Sequence, residues 1–223
     1  MPNLLFIIIL SYLVGSIPTS IILTKVVKGV DVRNFGSGNA GGTNVSRVLG
    51  KKYGLLTILL DAFKGVIAVV FISRLYFGDF PFPNTTPFDD FTLVQIIAGV
   101  AAVIGHIWTI FAGFKGGKGI ATGLGVLVSV VTLDMLMALG IFVLVVYATK
   151  YISLASISAA LSVPIIMIIR ENLFGVDIQS YHSILPFIIA LALLVVYTHR
   201  ANVARLINGT ENKISFSKKN KNK

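Results

Sequence analysis

The chain has 223 residues, of which 55% are hydrophobic and only 13% are charged, and its mean hydropathy is +0.87. This composition excludes an ordinary soluble globule and a disordered chain. The absence of cysteine excludes disulfides, zinc–thiolate sites and a cysteine nucleophile.

Apolar stretches of membrane-spanning length follow one another along the chain. One of them, residues 120–149, would form a helix of about 45 Å, which exceeds a single crossing of a ~30 Å hydrocarbon core. We therefore divide it at Asp134. The sequence then predicts an all-α integral membrane protein with seven transmembrane helices. They are expected at residues 4–24, 53–77, 93–114, 119–132, 135–149, 152–169 and 183–198.

The distribution of charge supports this topology. With the N-terminus outside and the C-terminus cytoplasmic, seven crossings place 16 of the 19 Lys and Arg residues on the inner side, as the positive-inside rule requires. Residues 78–92, rich in Pro and Asp, then form an outer loop. A five-crossing alternative, with residues 119–149 as one long helix and 151–169 not spanning, gives the same orientation.

We predict one membrane domain over residues 1–214 and a basic cytoplasmic tail over residues 215–223. Lysines in such a tail are attracted to anionic headgroups. The tail lacks a folded platform with interleaved aromatic residues, so nucleic-acid binding is not predicted.

The first polar segment on the inner side covers residues 36–44. It contains four glycines, which allow backbone N–H groups to approach a ligand. Its polar side chains, and the arginine that follows, are typical of a site for an anion, although a flexible connecting loop is the alternative. The candidate ligands are Ser37, Asn39, Thr43, Asn44 and Arg47.

The second segment places glycines around two lysines, ahead of a predicted helix. The N-terminus of a helix favours phosphate, so this segment is a candidate anion cradle, with simple interfacial anchoring as the alternative. Its spacing does not match a Walker A loop. The candidates are Lys115, Gly116, Gly117, Lys118, Gly119 and Thr122.

The third segment follows the last span. If the helix continues through it, His199, Asn202 and Arg205 lie one turn apart on one polar face. Such a face suits acyl or phosphoryl transfer, with interfacial snorkelling as the alternative. Ser153 and Ser156 follow Lys150 at the same side of the membrane, and they either bind substrate or pack helices.

Ionisable residues also occur inside the spans. Asp61 and Lys64 are three residues apart and are expected to form an ion pair, functional or structural. For His106, a core histidine with satisfied hydrogen bonds is the favoured interpretation.

Residues 37–44, Ser-Gly-Asn-Ala-Gly-Gly-Thr-Asn, resemble the first motif of the bacterial acyl-phosphate:glycerol-3-phosphate acyltransferases. Residues 105–122 resemble the second motif, and residues 199–211 resemble the third. The three motifs occur in the family's order and cover most of the chain. The sequence departs from the family at Ala40-Gly41-Gly42, usually a larger aliphatic residue followed by Gly-Ala, and at Trp108-Thr109, usually Phe-Pro.

This resemblance implies a bacterial inner-membrane enzyme of phospholipid synthesis with its active site facing the cytoplasm. The sn-1 hydroxyl of glycerol 3-phosphate would attack the carbonyl of a fatty acyl phosphate, giving lysophosphatidic acid and phosphate. The donor would be acyl phosphate rather than acyl-CoA, with no nucleotide, metal or other cofactor. The expected partners are both substrates and the lipid bilayer. The sequence leaves open whether the soluble enzyme that makes acyl phosphate docks on the inner face.

We accordingly expect catalytic roles for Ser37, Asn39, His199 and Asn202. The remaining candidates are expected to bind substrate: Thr43, Asn44, Arg47, Lys115, Gly116, Gly117, Lys118, Gly119, Thr122, Ser153, Ser156 and Arg205. The rival hypothesis is a transporter for an organic phosphate or another anion, which would bind its substrate near the membrane midplane. The clustering of cations at one face favours the enzyme.

Overall fold

A computed structural model describes residues 2–77, 81, 83–84, 90–178 and 181–214 of the chain. The predicted basic tail, residues 215–223, and most of the predicted outer loop lie outside the described residues. Ten α-helices occur in the described part of the chain: α1 (Pro2–Ser16), α2 (Thr19–Lys28), α3 (Gly42–Leu49), α4 (Lys51–Val66), α5 (Asp90–Ile107), α6 (Ile120–Val130), α7 (Thr132–Thr149), α8 (Ile152–Asn172), α9 (Tyr181–Thr198) and α10 (Arg200–Ile207).

Within these described residues, five helical segments are long and apolar enough to cross a membrane. They are Asn3–Lys28, Lys51–Leu75, Asp90–Ala112, Thr132–Thr149 and Ile152–Asn172. A sixth arises if Ile184–Thr198 and Arg200–Ile207, joined at a 57° bend, form one span. The helix α6 has only 11 residues and is too short to count among them.

The division of residues 119–149 into two helices is confirmed. The break falls at Val131, where φ is −131° and ψ is 62°, three residues before the predicted position. Asp134 therefore lies in the first turn of α7, where a carboxylate is favoured, and it pairs with Arg170 of α8 at 2.7 Å. The arrangement assumed in the five-crossing alternative does not match the structure, because residues 119–149 are not one helix and Ile152–Asn172 has the length and hydropathy of a span.

Several pairs of helices, among them α1 with α5 and α4 with α6, approach closely through glycine. A Cβ atom on Gly15 of α1 would lie 2.1 Å from the carbonyl oxygen of Ala102 on α5. A Cβ atom on Gly125 of α6 would lie 1.9 Å from the carbonyl oxygen of Ala62 on α4. Small residues at such crossings allow the van der Waals packing on which membrane helices depend. The short helix α6 is thereby held against α4.

The predicted Asp61–Lys64 ion pair is confirmed, with Lys64 Nζ 2.7 Å from Asp61 Oδ1. Lys64 also donates to the carbonyl oxygens of Gly15, at 3.3 Å, and Ile17, at 2.8 Å. These carbonyls lie where the first span is interrupted between α1 and α2. The hydroxyl of Thr19 donates to Asp61 at 2.8 Å. The buried pair thus satisfies backbone groups that this interruption leaves without helical partners.

Candidate active site

One cavity of about 290 Å³ brings the three polar segments together with α8. Its mouth is polar and its deeper walls are apolar. Eleven of the predicted site residues line it: Ser37, Asn39, Thr43, Asn44, Arg47, Lys118, Gly119, Ser153, Ser156, His199 and Asn202. Residues far apart in the sequence therefore face one volume.

The first segment is shaped by Asn44, which is 1% exposed. Its Nδ2 group donates to the carbonyl oxygens of Val32, Phe35 and Asn39, and its Oδ1 accepts from the Ser37 N–H at 3.1 Å. A side chain on Gly36 would collide with that oxygen. The predicted role of Asn44 as a substrate ligand is therefore not supported, because its polar atoms already hold the loop.

Other side chains of this segment are available to a ligand. Among the described residues, none forms a hydrogen bond or ion pair with the Ser37 hydroxyl, the Thr43 hydroxyl or the Arg47 guanidinium. All three residues line the cavity. Two hydroxyl groups and one cation are thus presented at its mouth.

The second segment only partly matches the predicted cradle. The N–H groups of Gly116 and Gly117 donate to the carbonyl oxygens of Ile107 and His106, at 3.0 and 3.1 Å. These amides terminate α5 and cannot also bind phosphate. Lys115 is exposed and its carbonyl oxygen accepts from Arg33. These three residues do not line the cavity, and the segment contributes Lys118 and Gly119 instead.

Lys118 is held at the cavity by the third segment. Its ammonium group donates to the side-chain oxygen of Asn202, and its carbonyl oxygen accepts from the Thr198 hydroxyl at 3.2 Å. Burial lowers the pKa of Lys118 to about 8; Glu211 opposes this shift, whereas Arg205 and Arg47 add to it. The ammonium form still predominates at neutral pH and is available to an anionic ligand.

His199 occupies the bend between α9 and α10. The last helix does not continue straight through the third segment, because the two helices meet at 57°. The imidazole is 3% exposed, and its Nδ1 lies 2.8 Å from the Val195 carbonyl oxygen. A carbonyl can only accept, so Nδ1 carries the proton in the neutral ring and Nε2 is left as an acceptor. This tautomer suits a general base.

Glu211 is the functional candidate that the sequence reasoning missed. Its carboxylate, 6% exposed, accepts from Ser153 at 2.9 Å, from Asn202 at 2.7 Å and from Arg205 at 2.7 Å. Burial alone would raise its pKa, but these hydrogen bonds outweigh burial and the pKa is lowered. The only signal in the sequence is its position at the end of the third segment.

Two further predicted ligands lie outside the cavity lining. Arg205 does not line the cavity, and within the described part of the chain its guanidinium pairs with Glu211. Thr122 is fully buried in α6, and its hydroxyl has no hydrogen-bond partner among the described residues. Conversely, Asp61 and His106 do reach the cavity wall. His106 is 8% exposed, and its Nδ1 lies 3.4 Å from Lys64 Nζ, which agrees with the core interpretation.

The deeper walls suit a long apolar ligand. Side chains of α6, α7, α8 and α9 line them, including Leu124, Leu139, Ala159 and Leu191. The cavity therefore combines an apolar slot with a mouth that carries Arg47, Lys118 and the carboxylate of Glu211. The other carboxylate that reaches its wall, that of Asp61, is paired with Lys64. Such a site fits a molecule with an anionic head and a hydrocarbon tail.

Comparisons with known proteins agree with this chemistry. A family profile described as glycerol-3-phosphate acyltransferase matches residues 5–209. The glycerol-3-phosphate acyltransferase of Chlorobaculum tepidum is 47% identical over 238 residues, covering 99% of this chain and 100% of that protein. The glycerol-3-phosphate acyltransferase of Pelodictyon phaeoclathratiforme is 45% identical over 240 residues, covering 98% of this chain and 100% of that protein.

The fold is similar to that of a solved membrane enzyme. Crystal structures of PlsY (YgiH), an integral membrane glycerol 3-phosphate acyltransferase, have been determined in two forms. The glycerol 3-phosphate form superposes with a TM-score of 0.78 at 37% identity, covering 95% of this chain and 96% of that one. The lysophosphatidic acid form gives 0.76 at 35% identity, covering 95% of each chain.

Proposed function

This chain belongs to the glycerol-3-phosphate acyltransferase family and is an integral membrane protein, and we propose that it transfers a fatty acyl group from acyl phosphate to the sn-1 hydroxyl of glycerol 3-phosphate. The observation that carries this proposal is the meeting of the three polar segments at one cavity with a cationic mouth and an apolar slot. The family membership favours this activity over anion transport.

Both proposed substrates carry phosphate, so both need positive charge and hydrogen-bond donors at the mouth. Lys118, with Gly119 and Thr43, binds the head of the acyl phosphate. Arg47 binds the phosphate of the acceptor, assisted by the Ser153 and Ser156 hydroxyl groups. All of these residues line the same cavity, so both phosphate groups can be bound in it.

The chemistry requires little covalent help, because an acyl phosphate is a mixed anhydride with a good leaving group. The acceptor oxygen forms a bond to the acyl carbon. The bond from that carbon to the phosphate oxygen breaks, and phosphate leaves with the electron pair. Holding the two reactants together supplies about 7–11 kcal/mol of the barrier reduction. Ser37 and Asn39 stabilise the oxyanion, at about 3–4 kcal/mol for a well-placed donor.

Two groups can take the proton from the acceptor hydroxyl: Nε2 of His199 and an oxygen of the departing phosphate. Asn202 helps to position the acceptor, since Glu211 and Lys118 fix the orientation of its amide group. Arg205 acts through Glu211, which it holds in place.

We also propose seven crossings, with the N-terminus outside and the cavity mouth facing the cytoplasm of the bacterial inner membrane. The excess of Lys and Arg on that side supports this orientation. The 11-residue helix α6 is about 16 Å long, so the loop before it reaches into the membrane thickness. Irregular backbone at that depth is tolerated where it lines a polar cavity. Residues 1–214 then form one membrane domain.

The test is to incubate the detergent-purified protein with myristoyl phosphate and radiolabelled glycerol 3-phosphate. Phosphate and lysophosphatidic acid are expected in equal amounts, with myristoyl-CoA inactive as donor. Phosphate release without lipid would mean that the acceptor assignment is wrong. The absence of both products from a folded sample would refute the proposed activity.

The base is identified by a His199→Ala variant. A histidine base contributes about 10²–10⁴-fold to the rate, so a loss of that size in kcat assigns the proton to His199. A loss below tenfold with unchanged KM assigns it to the substrate phosphate. His182→Ala is the matched control, because this exposed histidine lies near the opposite end of α9.

A further inference from the structure

The apolar slot has a closed end. Its deepest lining residues come one from each of four helices: Leu127, Met135, Val163 and Ile188, all 8% exposed or less. We call these four residues the floor. Beyond it, Ile166 and Ile184 belong to the same buried core, so the slot does not continue towards the far side of the membrane.

The depth of the slot follows from helix geometry. His199 at the mouth and Ile188 in the floor are 11 residues apart along α9 and its end, or about 16 Å at ~1.5 Å per residue. Ser153 and Val163 are 10 residues apart on α8, or about 15 Å. An extended alkyl chain advances about 1.25 Å per carbon, from a bond of ~1.5 Å and an angle of ~111°. The slot therefore accepts about 12–13 carbons beyond the carbonyl group.

We propose that the floor limits the length of the acyl chain to about 14 carbons and that Met135 is the residue that sets this limit. The proposal rests on the proposed function, since it takes the slot as the site of the acyl chain. The apolar slot resembles the lipid interior from which the chain comes, so burial discriminates little between chain lengths. Steric contact with the floor discriminates strongly, because packed cores resist added methylene groups.

Met135 is the floor residue whose truncation to alanine lengthens the slot most. Its side chain is unbranched and extends three heavy atoms beyond Cβ, whereas Val163 is short and β-branched. Truncation to alanine leaves the helix intact, because alanine has the highest helix propensity. The opened space corresponds to two or three carbons of substrate.

The experiment measures kcat/KM of the full-length purified protein with saturated acyl phosphates of 10, 12, 14, 16 and 18 carbons. For the wild type, we expect similar values up to 14 carbons and a fall of at least fivefold at 18 carbons. In Met135→Ala, the decrease in kcat/KM is expected at acyl chains two or three carbons longer. Met137→Ala is the matched control, because this methionine of α7 is 47% exposed, and its profile should equal that of the wild type.

A second variant, Val163→Leu, makes the slot shorter, so the decrease in kcat/KM should occur at a shorter acyl chain than in the wild type. A flat wild-type profile through 18 carbons would overturn the proposal without any variant. Equal profiles in wild type, Met135→Ala and Val163→Leu would also overturn it while leaving acyl transfer intact. Failure to transfer any chain would instead refute the proposed function.

Discussion

The Lys118 ammonium group makes the affinity for acyl phosphate depend on pH in a range that is easily measured. Burial lowers the pKa of Lys118 to about 8. The charged form is then about 90% populated at pH 7 and about 10% at pH 9. Substrate phosphate groups, with a second pKa near 6, keep their charge over this interval. The positive charge is thus present below pH 8 and lost above it, and KM for acyl phosphate should rise about tenfold between pH 7 and pH 9.

The assay follows incorporation of labelled glycerol 3-phosphate into lipid at saturating acceptor, with fresh acyl phosphate at each pH. The comparison is Lys118→Arg, whose guanidinium stays charged throughout. This variant should have a KM that changes little from pH 7 to pH 9, whatever its absolute value. A wild-type KM that is constant over this range, or an equal rise in both proteins, would refute the assignment of Lys118 as the titrating ligand.

Two further predictions concern the membrane core. Asp61→Asn leaves the buried lysine beside it without a counter-ion, so the free energy of unfolding should fall by about 3–5 kcal/mol. Thermal unfolding in detergent should show a lower Tm than for Asp177→Asn, a control at an exposed aspartate; equal Tm values would contradict the structural role of the pair. Gly125→Ala places a Cβ atom 1.9 Å from the carbonyl oxygen of Ala62, which should separate α4 from α6 and lower the Tm. Gly140 has open space around it, so Gly140→Ala should leave the Tm unchanged. A similar decrease in Tm in both variants would argue against close contact between α4 and α6.

Much of the fold was predictable because its determinants are local. Hydropathy and length identified every long span, and the excessive length of residues 120–149 required two helices. The i, i+3 spacing of Asp61 and Lys64 predicted an ion pair, which is present. The polar segments were identified by their unusual composition for connections in a membrane protein.

The details that failed were those that depend on backbone geometry. The bend at His199 carries no proline or glycine signal, so nothing in the sequence indicated that the helix ends there. The glycine-rich second segment looked like a phosphate cradle, yet two of its amides terminate α5. Asn44 looked like a ligand, but all its polar atoms hold the surrounding loop. Composition indicates that a segment can donate hydrogen bonds, but not to which acceptor.

The sequence by itself determined the all-α, membrane-spanning character of the chain and the three polar segments that contribute residues to the cavity. Only the tertiary structure decided that these segments share one cavity with α8 and that Glu211 joins Ser153, Asn202 and Arg205. The physical reason is the range of the interactions. Hydropathy and charge act residue by residue along the chain, whereas a cavity exists only where distant helices pack at defined distances and leave space between them.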